Sequence, residues 1–183
     1  VGANDYNRFG QTDVSIPVNN IKNGIESLYT RGARNFLVPN LPDLGKTPEN
    51  LNNPTNAALL STRVRDHNQL LANTLNTLPG TLSGASIVSP DLFSLFNNFI
   101  ANQSDYGFTN VTNACLVSGV VCANPQQYIF WDGVHPSARA HQFIGQFAAG
   151  ALGVPEPANT FGLVAIGIGF LGTRLLVKSS GKK

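Results

Sequence analysis

Hydrophobic positions along this chain alternate between a helical and a strand rhythm. From Asp13 to Tyr29, Val14, Val18, Ile21, Ile25 and Leu28 recur at three- and four-residue steps, which predicts a helix with one apolar face and Pro17 near its start. Phe36, Leu37 and Val38 then form a short apolar run between Arg34 and Pro39, which reads as a buried strand opening into a surface loop through Asn40, Leu41 and Pro42. Thr55 to Leu78 carries the longest helical pattern, with Leu59, Leu60, Val64, Leu70, Leu71, Leu75 and Leu78 apolar, and it stops at Pro79-Gly80. His67 lies inside this pattern beside polar residues and is expected to be a surface or packing residue, as is His141 further on.

Ala85 to Ser89 predicts a second buried strand, Asp91 to Ile100 a short helix, and Tyr128 to Trp131 a last strand. Ser137 to Leu152 predicts a closing helix with Ser137 as its N-cap and Phe143, Ile144, Phe147 and Ala148 facing inward. Alternating strands and helices predict an α/β fold with a parallel sheet, whose ligands bind at the carboxyl ends of the strands. A chain of 183 residues accommodates one such domain, not two.

Charge narrows the classes of partner. The formal charge of +2 comes from Arg174, Lys178, Lys182 and Lys183 in the last ten residues, and the body before Pro155 is slightly acidic with scattered cations. No basic stripe with interleaved aromatics exists, so nucleic acid is not an expected partner. Neither zinc-type spacing of Cys and His nor a glycine-rich phosphate loop is present, so no metal and no cofactor is expected. The chain contains no Met and opens on Val1 without a secretory signal, and the start of the protein is expected upstream.

One turn carries the candidate chemistry. A serine hydrolase needs an imidazole whose one nitrogen takes the serine proton while a carboxylate fixes the other. Asp132 and His135, three residues apart between a predicted strand end and a helix start, can converge to form that pair. Gly133 allows an unusual backbone angle between them, and Pro136 biases His135 toward an extended conformation. An Asp-x-x-His spacing alone is a weak signal; its aromatic strand and following proline strengthen it.

Phe130-Trp131-Asp132-Gly133-Val134-His135-Pro136 resembles the last block of the SGNH, or GDSL-type, hydrolases, especially their lecithinase and hemolysin-like branch. Gly2-Ala3-Asn4-Asp5 is similar to that family's Gly-x-Asn-Asp block, and the likeness extends to about Leu152. The resemblance implies a flavodoxin-like three-layer α/β/α sandwich and a Ser-His-Asp acyl-enzyme mechanism without a cofactor. It implies catalytic roles for His135 as general base and Asp132 as its orienting partner, with the Asn4 amide in the oxyanion hole. A neutral amide beside a glycine can approach a developing oxyanion closely, which supports Asn4 on physical grounds. Asp5 is expected to bond within its own loop. The family's Gly-Asp-Ser block, which carries the nucleophile, and its second block, which carries another oxyanion donor, both precede Gly-x-Asn-Asp. Neither is present, so the sequence reads as the C-terminal part of a hydrolase whose first strands and serine lie upstream, inactive by itself.

Cys115 and Cys122 are the only cysteines, and they flank an apolar, glycine-containing segment. Two reduced thiols or a disulfide fit, and export favours the bridge. Ala158 to Val177 is almost wholly apolar or small and long enough for a transmembrane helix, with a basic flank after it; a core helix is the alternative. Val154-Pro155-Glu156-Pro157 before this span resembles the PEP-CTERM sorting signal. That resemblance implies an exosortase-type partner, transient anchoring in the membrane, and transfer to the cell surface or extracellular matrix.

The expected organisation is a hydrolase domain over 1–152 and a sorting signal over 153–183, with the membrane helix at about 158–177. The expected function is an esterase-, lipase- or phospholipase-like hydrolase acting on a lipid, an acylated polysaccharide or a small ester. The alternative is a non-catalytic surface or matrix scaffold, or a carbohydrate-binding protein, derived from the same fold.

Overall fold

The computed structural model of the chain describes residues 2–153. Within them the elements run α1 (Ala3–Asn7), α2 (Ser15–Thr30), β1 (Asn35–Leu37), α3 (Pro48–Leu51), α4 (Pro54–Thr77) and β2 (Ser86–Val88). They continue as α5 (Leu92–Ala101), β3 (Asn110–Ala114), β4 (Leu116–Val117), β5 (Val120–Val121), β6 (Tyr128–Phe130) and α6 (Ala138–Ala151). The fold is α/β with parallel strand pairing, as the alternating pattern predicts.

Local chemistry sets the helix boundaries. Asn53 starts α4 by accepting from Asn56 N at 3.1 Å, with Pro54 in the first turn where its missing N–H costs nothing. Asp91 caps α5 through Ser94 N, and Ser137 caps α6 by accepting from Ala140 N at 3.2 Å. The Leu78-Pro79-Gly80 stretch closes α4 in a single tight 3-10 turn.

β1 pairs with β2 in parallel, with Phe36 opposite Ile87, and β3 pairs with β6 in parallel, with Ala114 opposite Phe130. These pairs are separate among the described residues, rather than one continuous sheet, and β4 and β5 form an antiparallel hairpin of their own. The sequence pattern did not predict α1, α3, β3 or the hairpin. In β3, Asn110-Val111-Thr112-Asn113-Ala114 holds too few apolar residues to register as a strand, and its pairing with β6 supplies what its pattern lacks.

Three apolar clusters hold these parts. Val18 and Ile25 of α2 meet Phe36 of β1 and Leu71, Leu75 and Leu78 at the end of α4. Phe96, Phe99, Phe108, Ile129, Phe130 and Ala140 join α5, β6 and α6 in an aromatic core. Tyr6, Leu41, Leu44, Leu60 and Val64 seat α1 on the first half of α4. Each fully buried Leu, Val or Phe in such clusters stabilises the fold by roughly 1.5–3 kcal/mol.

Gly45 lets the loop before α3 lie directly against α4, because a Cβ there would collide with Ala57 O and Ser61 Oγ. The Ser61 hydroxyl donates to buried Asp43, whose Oδ1 also accepts from Gly45 N, so this loop is fixed where it approaches the carboxyl ends of the strands.

No helix among the described residues is long and apolar enough to cross a membrane. The predicted membrane helix at 158–177 and the motif Pro155, Glu156, Pro157 lie outside the described residues.

Candidate active site

The turn after β6 builds an Asp–His pair from its own backbone. Asp132 Oδ1 accepts from Val134 N at 2.9 Å and from His135 N at 2.8 Å. Its Oδ2 lies 2.8 Å from His135 Nδ1. One carboxylate therefore caps the turn and grips the ring. Burial alone would raise the Asp132 pKa, but the N–H donors of His135 and Val134 and the adjacent imidazole outweigh it and hold the carboxyl below its usual range. Asp132 is therefore a carboxylate at neutral pH, suited to orient Nδ1 and leave Nε2 free.

The turn is tied back to the strand that carries it. Trp131 N donates to His135 O at 2.8 Å, and Ser137 N donates to Ile129 O at 2.7 Å. Glu49 N donates to Gly133 O at 2.9 Å from the start of α3. The His135 side chain is nevertheless 70% exposed, against 34% for Asp132. The freedom expected of Gly133 is not used: its φ is not positive, and a Cβ there would meet Glu49 Cβ at an ordinary 3.4 Å.

Positive φ falls instead on Gly2, at 106°, where the chain enters α1. Gly2 N donates to Asp5 Oδ2 at 2.7 Å, so Asp5 bonds within its own turn as expected. A Cβ on Gly2 would come within 3.0 Å of Leu41 Cδ1 and 3.2 Å of His67 Cε1. Glycine is needed here both for backbone conformation and for close approach.

Asn4 is exposed on this helix, and it lines a cavity of about 470 Å³ together with Asn7, Arg8, Glu49, Val134 and His135. The two ends of the described chain thus contribute to one cavity. Asn50 stitches its floor, donating to Asn7 Oδ1 at 2.9 Å and to Leu44 O at 3.0 Å. A second cavity of about 550 Å³ shares Glu49 with the first and is walled by Leu51, Asn113, Leu116, Val117 and Gly133.

The structure joins Cys115 to Cys122 in a disulfide, with Cα atoms 4.8 Å apart. The bridge closes the β4–β5 hairpin at its base, where Cys115 N and Leu116 N donate to Phe130 O and Trp131 O. The hairpin therefore stands beside the Asp132 turn at the carboxyl edge of β3 and β6.

Sequence reasoning missed Glu49, Asn7 and Arg8 as cavity residues; of the two readings it offered for His67, surface or packing, the structure gives packing. His141 lies exposed on α6 with Nδ1 3.0 Å from Ser137 O, in keeping with a surface residue. His67 is wholly buried, with Nδ1 2.7 Å from Tyr6 Oη and the two rings edge to face. Desolvation lowers the His67 pKa to about 4 and pushes the Tyr6 phenol well above its usual range. A signal for this burial existed: Leu60, Val64, His67, Leu71, Leu75 and Leu78 follow one another at three- and four-residue steps, placing His67 on the apolar stripe.

Comparison with known proteins points to one family. The sequence model of the GDSL-like Lipase/Acylhydrolase family matches residues 1–147. A GDSL esterase/lipase of Arabidopsis thaliana is 32% identical over 140 residues, which cover 66% of this chain and 40% of that protein. GDSL esterase/lipase APG of the same plant is 29% identical over 149 residues, covering 71% of this chain and 42% of its own. GDSL esterase/lipase 7, also from Arabidopsis, is 27% identical over 183 aligned positions, covering 79% and 48%. The chain spans less than half the length of these relatives.

Proposed function

This chain belongs to the GDSL-like lipase/acylhydrolase family, and from that premise we propose that it supplies the acid–base half of a Ser-His-Asp ester hydrolase. The observation that carries the reading is the carboxylate of Asp132 gripping His135 Nδ1 while His135 and Asn4 line one cavity. The nucleophilic serine comes from a segment upstream of residue 1, in the flavodoxin-like three-layer arrangement that the resemblance implies.

In the proposed reaction His135 Nε2 takes the proton from the serine hydroxyl as its oxygen attacks the ester carbonyl. Asp132 offsets the positive charge that forms on the imidazole and keeps the ring in place. The Asn4 amide donates to the oxyanion of the tetrahedral intermediate. The imidazolium then protonates the departing alcohol, and a water deprotonated by His135 releases the acid from the acyl-serine.

The same reading assigns the protein to the outside of the cell. The disulfide suits an oxidising compartment. The Pro155-Glu156-Pro157 motif and the apolar, basic-ended tail suit sorting by an exosortase-type enzyme and transient anchoring in a membrane. The lecithinase and hemolysin-like branch stays part of this proposal, with lipids, acylated polysaccharides and small esters as the substrate classes.

The test is hydrolysis of a short p-nitrophenyl ester by the full-length protein. His135→Ala should lower kcat by about 10⁴-fold with folding retained. Full activity in that variant would sink the assignment, whereas no activity in the wild-type full-length protein would favour the non-catalytic scaffold.

A further inference from the structure

The mechanism proposed above uses Asn4 but leaves unexplained why a buried histidine sits underneath it. His67 occupies the middle of the apolar stripe of α4, where leucine would fill the space without polar atoms to satisfy. It is wholly buried, and among the described residues no group pairs with its Nε2. Burying an imidazole costs stability unless its polar atoms are bonded, so the one bond that His67 makes among the described residues matters.

Its contacts point to a role. Nδ1 lies 2.7 Å from Tyr6 Oη, across 61 residues of chain, and the Tyr6 ring stands edge-on to the imidazole at 82°. Tyr6 lies two residues beyond Asn4 on the same five-residue helix, which is far too short to hold its own shape in water. The helix is entered through Gly2 at φ 106°, with Cα close enough to His67 that a methyl group would lie 3.2 Å from Cε1. The imidazole thus touches the turn at its entrance and near its far end, on either side of Asn4.

We propose that the buried His67–Tyr6 pair is a positioning device for ester hydrolysis, fixing the Gly2–Asn7 turn so that the Asn4 amide is aimed at the oxyanion. Leu41 and Val64 supply apolar packing that a phenylalanine in place of Tyr6 would keep. The hydrogen bond adds direction: it fixes the rotation of α1 about its axis, and with it the direction in which Asn4 points. A purely packed turn could rotate by a fraction of an ångström, and oxyanion stabilisation is sensitive to displacements of that size. Neither His67 nor Tyr6 touches substrate in this account.

The proposal rests on the oxyanion assignment of Asn4, and a double-mutant cycle in the full-length protein separates the two. Tyr6→Phe removes one oxygen and keeps the packing. It should lower kcat by about tenfold while KM stays within about twofold, the pattern of an interaction felt in the transition state. In an Asn4→Ala background the same change should lower kcat by less than about twofold, because the group being aimed is gone. His67→Asn, which keeps an acceptor near the Nδ1 position, should retain more activity than His67→Leu; if the leucine variant does not fold, Tyr6→Phe still decides. Equal losses from Tyr6→Phe in both backgrounds, or none in either, would overturn the positioning role and leave the Asn4 assignment standing. Wild-type kcat in Asn4→Ala alone would overturn that assignment and the positioning role with it.

Discussion

The two turns that line the cavity are held in opposite ways. At Asp132–His135 the bonds that hold the imidazole directly span two or three residues, from Asp132 oxygens to Val134 N, His135 N and His135 Nδ1, with one longer tie from Glu49 N to Gly133 O. At Gly2–Asn7 the buried hydrogen bond crosses 61 residues to α4. A turn braced from a distant helix keeps its shape only while that helix presents the right side chain. The Asp132–His135 pair should therefore be the more robust to changes elsewhere, and the Asn4 turn the part that distant substitutions disturb most.

The comparison sharpens most at the local turn. Asp132→Asn keeps an oxygen for the two backbone donors but loses the charge that orients and stabilises the imidazolium. It should lower kcat in the full-length protein by about 10⁴-fold while leaving the melting temperature nearly unchanged. A large loss of stability with a small loss of kcat would make Asp132 a structural cap rather than an orienting group.

The distant turn should respond to acid through His67. Its imidazole takes up a proton near pH 6.5 in the unfolded chain but only near pH 4 in the fold, because burial disfavours the charge. Across that interval the unfolded state binds more protons, so stability is full above pH 6.5 and is lost as pH falls toward 4. The loss amounts to at most about 3 kcal/mol, burial being the larger cause of the shift and the positive amine of residue 1 the lesser. Asp5, the nearby carboxylate, opposes it by favouring the protonated ring. Asp132 has a lowered pKa, so its own contribution is lost only at still more acid pH and does not obscure the His67 window. Urea unfolding at pH 7 and pH 4 measures the slope, and His67→Leu should remove most of it.

A smaller effect is expected at the entrance to α1. Gly2→Ala places a Cβ at φ 106° against Leu41 and His67, and should cost about 1–2 kcal/mol with a modest fall in kcat. The smallest belongs to His141, exposed on α6, where alanine should change stability by less than about 0.5 kcal/mol and leave kcat unchanged. A larger loss from His141→Ala than from Gly2→Ala would break the distinction between the braced turn and an ordinary surface.

The same difference explains what could be read from sequence. The helices at Ser15–Thr30, Pro54–Thr77, Leu92–Ala101 and Ala138–Ala151 announce themselves by period and caps, within a residue or two of their predicted ends. Asp132 and His135 were legible because the whole device fits in one short turn. β3 was not, since a strand of two Asn, Thr, Ala and a single valine owes its existence to its partner β6. Tyr6 and His67 were not linked, because nothing in either segment names the other; only the position of His67 on the stripe from Leu60 to Leu78 hinted that it faces inward. Gly133 shows the converse error, a glycine whose conformational freedom looked necessary and whose backbone turned out ordinary.

The most direct test of the central claim is the mass of the full-length protein after reaction with a fluorophosphonate, with the modified peptide mapped. The account predicts a single adduct on a serine upstream of residue 1, formed with loss of fluoride, and its disappearance in His135→Ala. An unmodified protein, or an adduct that forms equally well without the imidazole, would contradict it.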